Sequence, residues 1–354
     1  MHKKQILWWG RSDRGYSRNG IVIKALEELG FEIIPFFPKT SLFAFEEAFF
    51  KRLPSPDLIW VPCFRQRDFF TAYRYAHMQK IPIIFDPLIS SYDKKVFEHK
   101  KWKENSPKAH QLKQKESKMF QQADLVLADT QLHANFFVKT FKIERSKIEI
   151  VPVGADEDLF TPQPPPNNAT PRILFYGSYV PLQGVDIIIE AARKIPYAQW
   201  ILIGNGKLRK HCEKQARELD HVAFINWIPY ESLPKKIGTA DILLGIFGTT
   251  HKAERVIPNK VYQSLACGRP VITRESNVYS KELLTDGRGI RFIPPGSSDA
   301  LASCIQEMLK HQDTLATDGQ IARNLFNNSA SFQLIKSRLT AMLMNPALHL
   351  YKHP

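Results

Sequence analysis

The stretch "TPQPPPNNATPRILFYG", residues 161–177, contains both of the signals that decide the architecture. Its first eleven residues are prolines and small polar residues, which suit a linker and not a core. Its last six form an apolar run ending in glycine, the pattern of a parallel strand covered on both faces. Similar runs, separated by helix-compatible segments, lie on either side. Before the linker they are "QILWW" (5–9), "EIIPFF" (32–37), "DLIWVP" (57–62), "IPIIFD" (81–86), "DLVLA" (124–128) and "IEIVP" (148–152). After it come "RILFYG" (172–177), "QWILIG" (199–204), "HVAFI" (221–225), "DILLGI" (241–246), "RPVIT" (269–273) and "GIRFI" (289–293). This alternation predicts an α/β chain of two doubly wound domains, with ligands outside the carboxyl ends of the strands and a cleft between the domains.

The expected boundaries are a first domain over 1–160, a linker over 161–171 and a second domain over 172–325. The remaining segment, 326–354, carries an amphipathic helix in "SFQLIKSRLTAMLM" (331–344). That helix either packs back on the first domain or caps the second. At 354 residues, 44% hydrophobic and 24% charged, the chain has the length and balance for two folded cores. No run approaches the ~20 apolar residues of a membrane span, and the first fifteen residues do not form a secretory signal, so a cytoplasmic location is expected. Cys63, Cys212, Cys267 and Cys304 are scattered without ligand spacing. Neither a metal site nor a disulfide framework is predicted.

A net charge of +14 implies an anionic partner: a nucleotide, a nucleic acid or an anionic membrane surface. No zinc-finger or RNP signature accompanies it, which weighs against nucleic acid. The stretch "GTTHKAERVIPNKVYQSLACGRPVI" (248–272) narrows the choice. It sets Lys252, Arg255 and Lys260 beside the start of a predicted helix, where the helix field already favours negative charge. Gly248, Thr249 and Thr250 can bring backbone amides to an anion. Pro258 reads as a first-turn residue and Gly268 as the cap at the other end. Gly204, Asn205 and Gly206 follow a strand, either as a nucleotide-cradling turn or as a plain strand-to-helix turn. Gly177 and Gln183 belong to a similar turn ending at Gly184.

In the first domain, "GRSDRGYSRNG" (10–20) joins a strand to a helix that Ser17 can cap. Residues 93–118 hold nine lysines against four acids, plus Phe97 and Trp102. They form either an amphipathic contact with anionic lipid or a solvated charged helix.

Four stretches carry a resemblance: "VPVGADEDLFTP" (151–162), "FYGSYVPLQGVDIIIEAA" (175–192), "ILIGNGKLR" (201–209) and "IPNKVYQSLACGRPVI" (257–272). Together they resemble the retaining glycosyltransferases of the GT-B type, close to family 4, over residues 151–295. Over 1–150 the likeness is architectural only. It implies two Rossmann-like domains and transfer of a sugar, with retention, from a nucleotide-sugar donor to a glycan or lipid-linked acceptor, as in cell-surface polysaccharide or lipopolysaccharide synthesis. No metal or other cofactor is implied. The resemblance also implies that the leaving phosphate takes the acceptor proton, so that no protein base is required.

The departures are specific. The loop 177–184 lacks the Arg and Lys with which family members hold the diphosphate, and the family's two glutamates fall at Arg255 and Gln263. Either the chain is a degenerate nucleotide-sugar-binding copy, or phosphate binding has moved to other cations. On the second view Lys252 and Arg255 are the catalytic candidates. Gly177, Gln183, Gly204, Asn205, Gly206, Gly248, Thr249, Thr250, Asn259, Lys260 and Gln263 line the donor, while Arg14, Gly15, Ser17, Arg18 and Asp86 face the acceptor. A basic nucleic-acid-binding module is the third reading.

Overall fold

The computed structural model describes residues 3–13 and 15–350. Along the chain run β1 (Gln5–Trp9), α1 (Ser17–Glu28), β2 (Glu32–Phe36), α2 (Ala44–Phe50), β3 (Leu58–Val61), α3 (Phe69–Gln79), β4 (Ile83–Phe85), α4 (Ser91–Asp93), α5 (Pro107–Gln122), β5 (Leu125–Ala128), α6 (Gln131–Phe141) and β6 (Ile148–Ile150). There follow β7 (Arg172–Tyr176), α7 (Val185–Arg193), β8 (Gln199–Ile203), α8 (Arg209–Gln215), β9 (Val222–Ile225), α9 (Leu233–Gly238), β10 (Ile242–Leu244), α10 (Asn259–Ala266), β11 (Val271–Arg274), α11 (Lys281–Leu284), β12 (Ile290–Ile293), α12 (Ser298–Lys310), α13 (Leu315–Ala330) and α14 (Phe332–Leu343). Each β-rich run read from the sequence overlaps one of these strands.

The strands form two parallel six-stranded sheets, ordered β2-β1-β3-β4-β5-β6 and β12-β11-β10-β7-β8-β9. Covered strands must be apolar on both sides, and Leu58 to Val61 and Leu125 to Ala128 are wholly buried. Helix starts are fixed by side chains that satisfy open backbone donors. Ser106 caps α5 ahead of Pro107, Thr130 caps α6, and Ser297 caps α12. At the other end, α3 and α6 stop on left-handed lysines, Lys80 and Lys142.

The chain divides into two compact units, one comprising residues up to 154 together with those from 332 onward, the other comprising 155–331. In the first unit, one face of the sheet packs under α2, α3, α5 and α6 through Ala44, Ala48, Ala72, Met119, Phe120 and Phe137. The opposite face packs under α1 and α14, where Ile335, Leu339, Met342 and Leu343 bury against Ile21, Val22 and Leu26. Each such side chain contributes about 1.5–3 kcal/mol of burial. That is ample reason for α14 to belong to the first unit, although the chain reaches it from the second.

Three boundaries differ from the sequence reading. Residues 326–330 end α13 and belong to the second unit, so the returning segment begins only at 332. The first unit closes at 154, and the proline-rich stretch is held along the second unit. Arg269 donates to the carbonyls of Gln163, Pro164 and Gly238, while Gln163 N donates to Cys267 O at 3.0 Å and Gln199 N, at the start of β8, donates to Pro171 O at 2.8 Å. Asn168 Nδ2 adds bonds to Thr239 O (3.0 Å) and Asp241 Oδ2 (2.8 Å).

Candidate functional site

In the second unit the strand order reverses between β7 and β10, which is where an open α/β sheet binds ligands. The loops leaving these two strands are 177–184 and 245–258. They are laced together: Phe247 N donates to Gln183 O (3.1 Å) and Gly248 N to Leu182 O (3.2 Å). Gly184 permits this contact. It sits at φ +66°, and a Cβ there would lie 2.8 Å from Gly248 N.

The turn after β8 joins the first loop in the same way. Gly177 N donates to Ile203 O (3.0 Å), Tyr179 N to Asn205 O (2.9 Å) and Leu208 N to Tyr179 O (3.1 Å). Arg209, buried between the rings of Tyr179 and Phe224, donates to the carbonyls of Gly204 and Ile225 and pairs with Glu213. It holds the Gly204–Asn205–Gly206 turn from beneath.

Lys260 projects from the first turn of α10 into this assembly. Its Nζ donates to Gln183 Oε1 at 2.6 Å, lies 3.7 Å from the centre of the Phe175 ring, and would stand 2.9 Å from a Cβ at Gly177. A side chain at Gly177 would displace the ammonium from this contact. Lys260 is buried, and burial drives its ammonium well below the usual lysine range.

One turn along α10, Gln263 is also buried and hydrogen-bonded at both ends. Its Oε1 accepts from Tyr176 Oη and its Nε2 donates to Tyr230 Oη, each at 3.1 Å. Burial holds the Tyr176 hydroxyl well above its ordinary range, so it stays a donor. Asn259 opens the helix. Pro258 is its cap and not its first residue: its φ of −70° suits either position, but its ψ of 146° is extended. Gly268 lies one position beyond the last cap residue, Cys267, in the left-handed region.

Gly248 is fixed from a third side: Arg274 Nη1, at the end of β11, donates to its carbonyl at 2.9 Å. Thr250 closes the next turn by accepting from Ala253 N, and Thr249 packs near Gly296. Lys252 is buried and Arg255 half-buried in that turn, with Arg255 N donating to Lys252 O at 3.0 Å. The structure thus joins Gly177, Gln183, Gly204, Asn205, Gly206, Gly248, Lys260 and Gln263 through one network of contacts. Arg209 and Arg274 support that network and escaped the sequence reading. Their targets are backbone carbonyls, which leave no residue pattern.

In the first unit Arg14 lies outside the described residues. Gly15 N donates to Asp13 Oδ1 (2.8 Å) and Asn19 Nδ2 to Asp13 O (2.9 Å), so Asp13 shapes the loop before α1. Ser17 is the first residue of α1 and does not cap it. The cap position falls on Tyr16, which accepts no side-chain bond there, and the buried Ser17 Oγ has no hydrogen-bond partner. Arg18 and Asp86 are buried together, Arg18 Nε donating to Asp86 Oδ1 (3.0 Å) and Oδ2 (2.9 Å) and Nη1 to Val151 O (2.7 Å). Burial opposes the Arg18 charge most strongly, but Asp86 and its other anionic neighbours together outweigh it and hold the guanidinium above its ordinary value. This pair ties α1 to the carboxyl ends of β4 and β6 and leaves the buried Arg18 Nη2 without a hydrogen-bond partner. Nearby, His133 Nδ1 lies 2.7 Å from Asp129 Oδ1, just beyond β5, another pair not read from the sequence.

Comparison with known proteins places the molecule. Residues 170–311 match the model of the family described as Glycosyl transferases group 1. A D-inositol 3-phosphate glycosyltransferase of Xylanimonas cellulosilytica is 28% identical over 115 residues, 28% of this chain and 27% of that protein. The uncharacterized glycosyltransferase MJ1178 of Methanocaldococcus jannaschii is 26% identical over 157 residues, 42% and 40% of the two chains. The chain therefore spans well under half the length of these curated relatives.

Among solved structures, Anabaena Alr3699/HepE in complex with UDP and glucose superposes with a TM-score of 0.69 at 15% identity, covering 97% of this chain and 99% of that one. A sucrose-phosphate synthase from Thermosynechococcus elongatus gives 0.74 at 17%, covering 96% and 98%. Both are likenesses of fold. The resemblance drawn from the motifs of the second half is thus borne out: the chain carries the two Rossmann-like units of the GT-B fold, and its residues 170–311 match the group 1 glycosyl transferases.

Proposed function

We propose that the chain is a glycosyltransferase that moves a sugar from a nucleotide-sugar donor to a glycan or lipid-linked acceptor, as in cell-surface polysaccharide or lipopolysaccharide synthesis. The observation that carries this is Lys260. The loop 177–184 lacks the family's two cations, and α10 supplies an ammonium to that same loop through Gln183. Breaking the bond between a sugar and a nucleoside diphosphate puts negative charge on the leaving phosphate, so fixed cations and amides aimed there lower the barrier. Burial disfavours the charge on Lys260, and an arriving diphosphate favours it, so the attraction strengthens on binding.

Lys252 and Arg255, in the adjoining turn, are the proposed cations on the leaving phosphate, and this set takes the place of a metal. Retention follows from the family resemblance. The solved GT-B proteins that hold UDP and glucose support a nucleotide-sugar donor.

A second reading, a protein that binds the nucleotide sugar without turnover, is favoured by Gln263. Its amide is already engaged by two tyrosines, where the family has a ribose-binding glutamate. Thermal unfolding against UDP, GDP, ADP, CMP and their sugars, with and without EDTA, tests the donor site on wild type and Lys260→Gln. A shift from one nucleotide that survives EDTA and is lost in the variant is expected. No shift from any of them overturns the reading, and a shift without transfer to any acceptor leaves the second one standing.

A further inference from the structure

The helix α2 buries Ala44 and Ala48 and packs Phe45 on the core, while it and the two residues before it leave four large side chains outward. Ala44 and Ala48 are fully buried against the sheet, while Leu42 is 75% exposed, Phe43 62%, Phe49 56% and Phe50 80%. Four large apolar side chains left in water within nine residues reverse the usual preference, and such a patch marks a surface that something covers. Both acids of the helix are ion-paired, Glu46 with Arg74 and Glu47 with Lys51. Lys39 and Arg52 stand exposed at either end.

The same layer continues through α3, which packs against both α2 and α5. On α5 the only acid, Glu116, is turned inward. It accepts from Ser90 Oγ (2.7 Å), Ser91 N (2.7 Å) and Tyr92 N (2.9 Å), and burial pushes its carboxyl upward. The exposed charges of α5 are consequently all positive: Lys108, Lys115 and Lys118. A protein interface would accept the phenylalanines but is depleted in lysine. Phenylalanine and leucine flanked by lysine fit the boundary between acyl chains and anionic headgroups.

We infer that the outer layer of the first unit docks on an anionic lipid bilayer, with Leu42, Phe43, Phe49 and Phe50 entering the interface and the lysines of α5 meeting the headgroups. This extends the acceptor half of the function proposed above, since a lipid-linked acceptor is presented at such a surface. It does not depend on the donor chemistry, which resides in the other unit.

Cosedimentation of the full chain with vesicles of phosphatidylcholine alone, and of equal parts phosphatidylcholine and phosphatidylglycerol, tests it. Wild type pellets with the anionic vesicles and is released by salt. Changing all four apolar residues to serine leaves net charge and unfolding temperature unchanged and weakens binding by about tenfold or more. Lys108→Gln, Lys115→Gln and Lys118→Gln together weaken it and flatten its salt dependence. A tryptophan placed by Phe50→Trp is quenched by brominated lipid. Equal binding by the serine variant overturns the inference, as does failure of wild type to bind at low salt. A wild-type dimer in sedimentation velocity that the serine variant dissolves would assign the patch to a second copy instead, and also overturns it. The nucleotide-induced thermal shift is unaffected in every one of these variants, so failure here is separable from failure of the donor assignment.

Discussion

The ammonium of Lys260 and the amide oxygen of Gln183 lie 2.6 Å apart although 77 residues separate them in the chain. The contact joins the first turn of α10 to the glycine loop after β7, and it puts a buried cation on the side of the sheet where the strand order reverses.

Lys260 should carry a cost in stability that depends on pH. Its pKa is depressed in the folded state, so the unfolded chain binds the extra proton and stability rises with pH, from the depressed value up to the ordinary lysine value of 10.5. Lys260→Met is expected to be more stable than wild type by about 1–3 kcal/mol at neutral pH. That gap should narrow as the solution is made alkaline. Urea titrations of both proteins across the alkaline range check this, and a gap independent of pH would contradict it.

The cation can be moved between the two positions. Lys260→Gln alone is expected to lower kcat/KM with the cognate donor by ~10²–10³-fold, the loss typical when one group stabilising developing charge is removed. Adding Gln183→Lys returns an ammonium to the same contact from the opposite side and should recover part of that loss. Steady-state kinetics of both single variants and the double measure the coupling.

Gln263→Glu should strengthen donor binding. A carboxylate accepts from both Tyr176 and Tyr230, whereas the amide must donate to one of them, and it offers the stronger acceptor to ribose hydroxyls. A several-fold lower Kd for the nucleotide, read by calorimetry, is expected. In a protein that binds without turnover, the same change would leave transfer at zero.

Arg18 and Asp86 should behave as a unit. Replacing either alone leaves a buried charge unpaired and is expected to cost about 3–5 kcal/mol in chemical denaturation, while Arg18→Met with Asp86→Leu should cost less than either single change. Additive losses would show that the two side chains act independently.

The sheets were legible because parallel strands buried on both faces are written as continuous apolar runs, as in "DLIWVP" and "DLVLA". The glycine turns and Lys260 were legible because they sit at fixed offsets from those strands. What escaped notice are partners chosen by three-dimensional proximity. Gln183 stands 77 residues from Lys260, Arg209 and Arg274 bond to carbonyls, and Arg269 grips a proline-rich stretch whose composition reads as free linker. The cap of α1 was misplaced for a related reason. Asp13, upstream of the serine, already orders the loop through its own carboxylate and carbonyl.

The lacing of residues 177–179 to residues 203–208 has a bearing on redesign of the protein. Each loop supplies the acceptors for the other's amides. A chimera that imports the first loop from a relative, in pursuit of a different donor, would meet a second loop whose carbonyls point at the wrong positions. The exchangeable module is the whole span from β7 to the start of α8, with Arg209 included, and libraries that diversify one loop at a time will sample mostly frustrated hybrids.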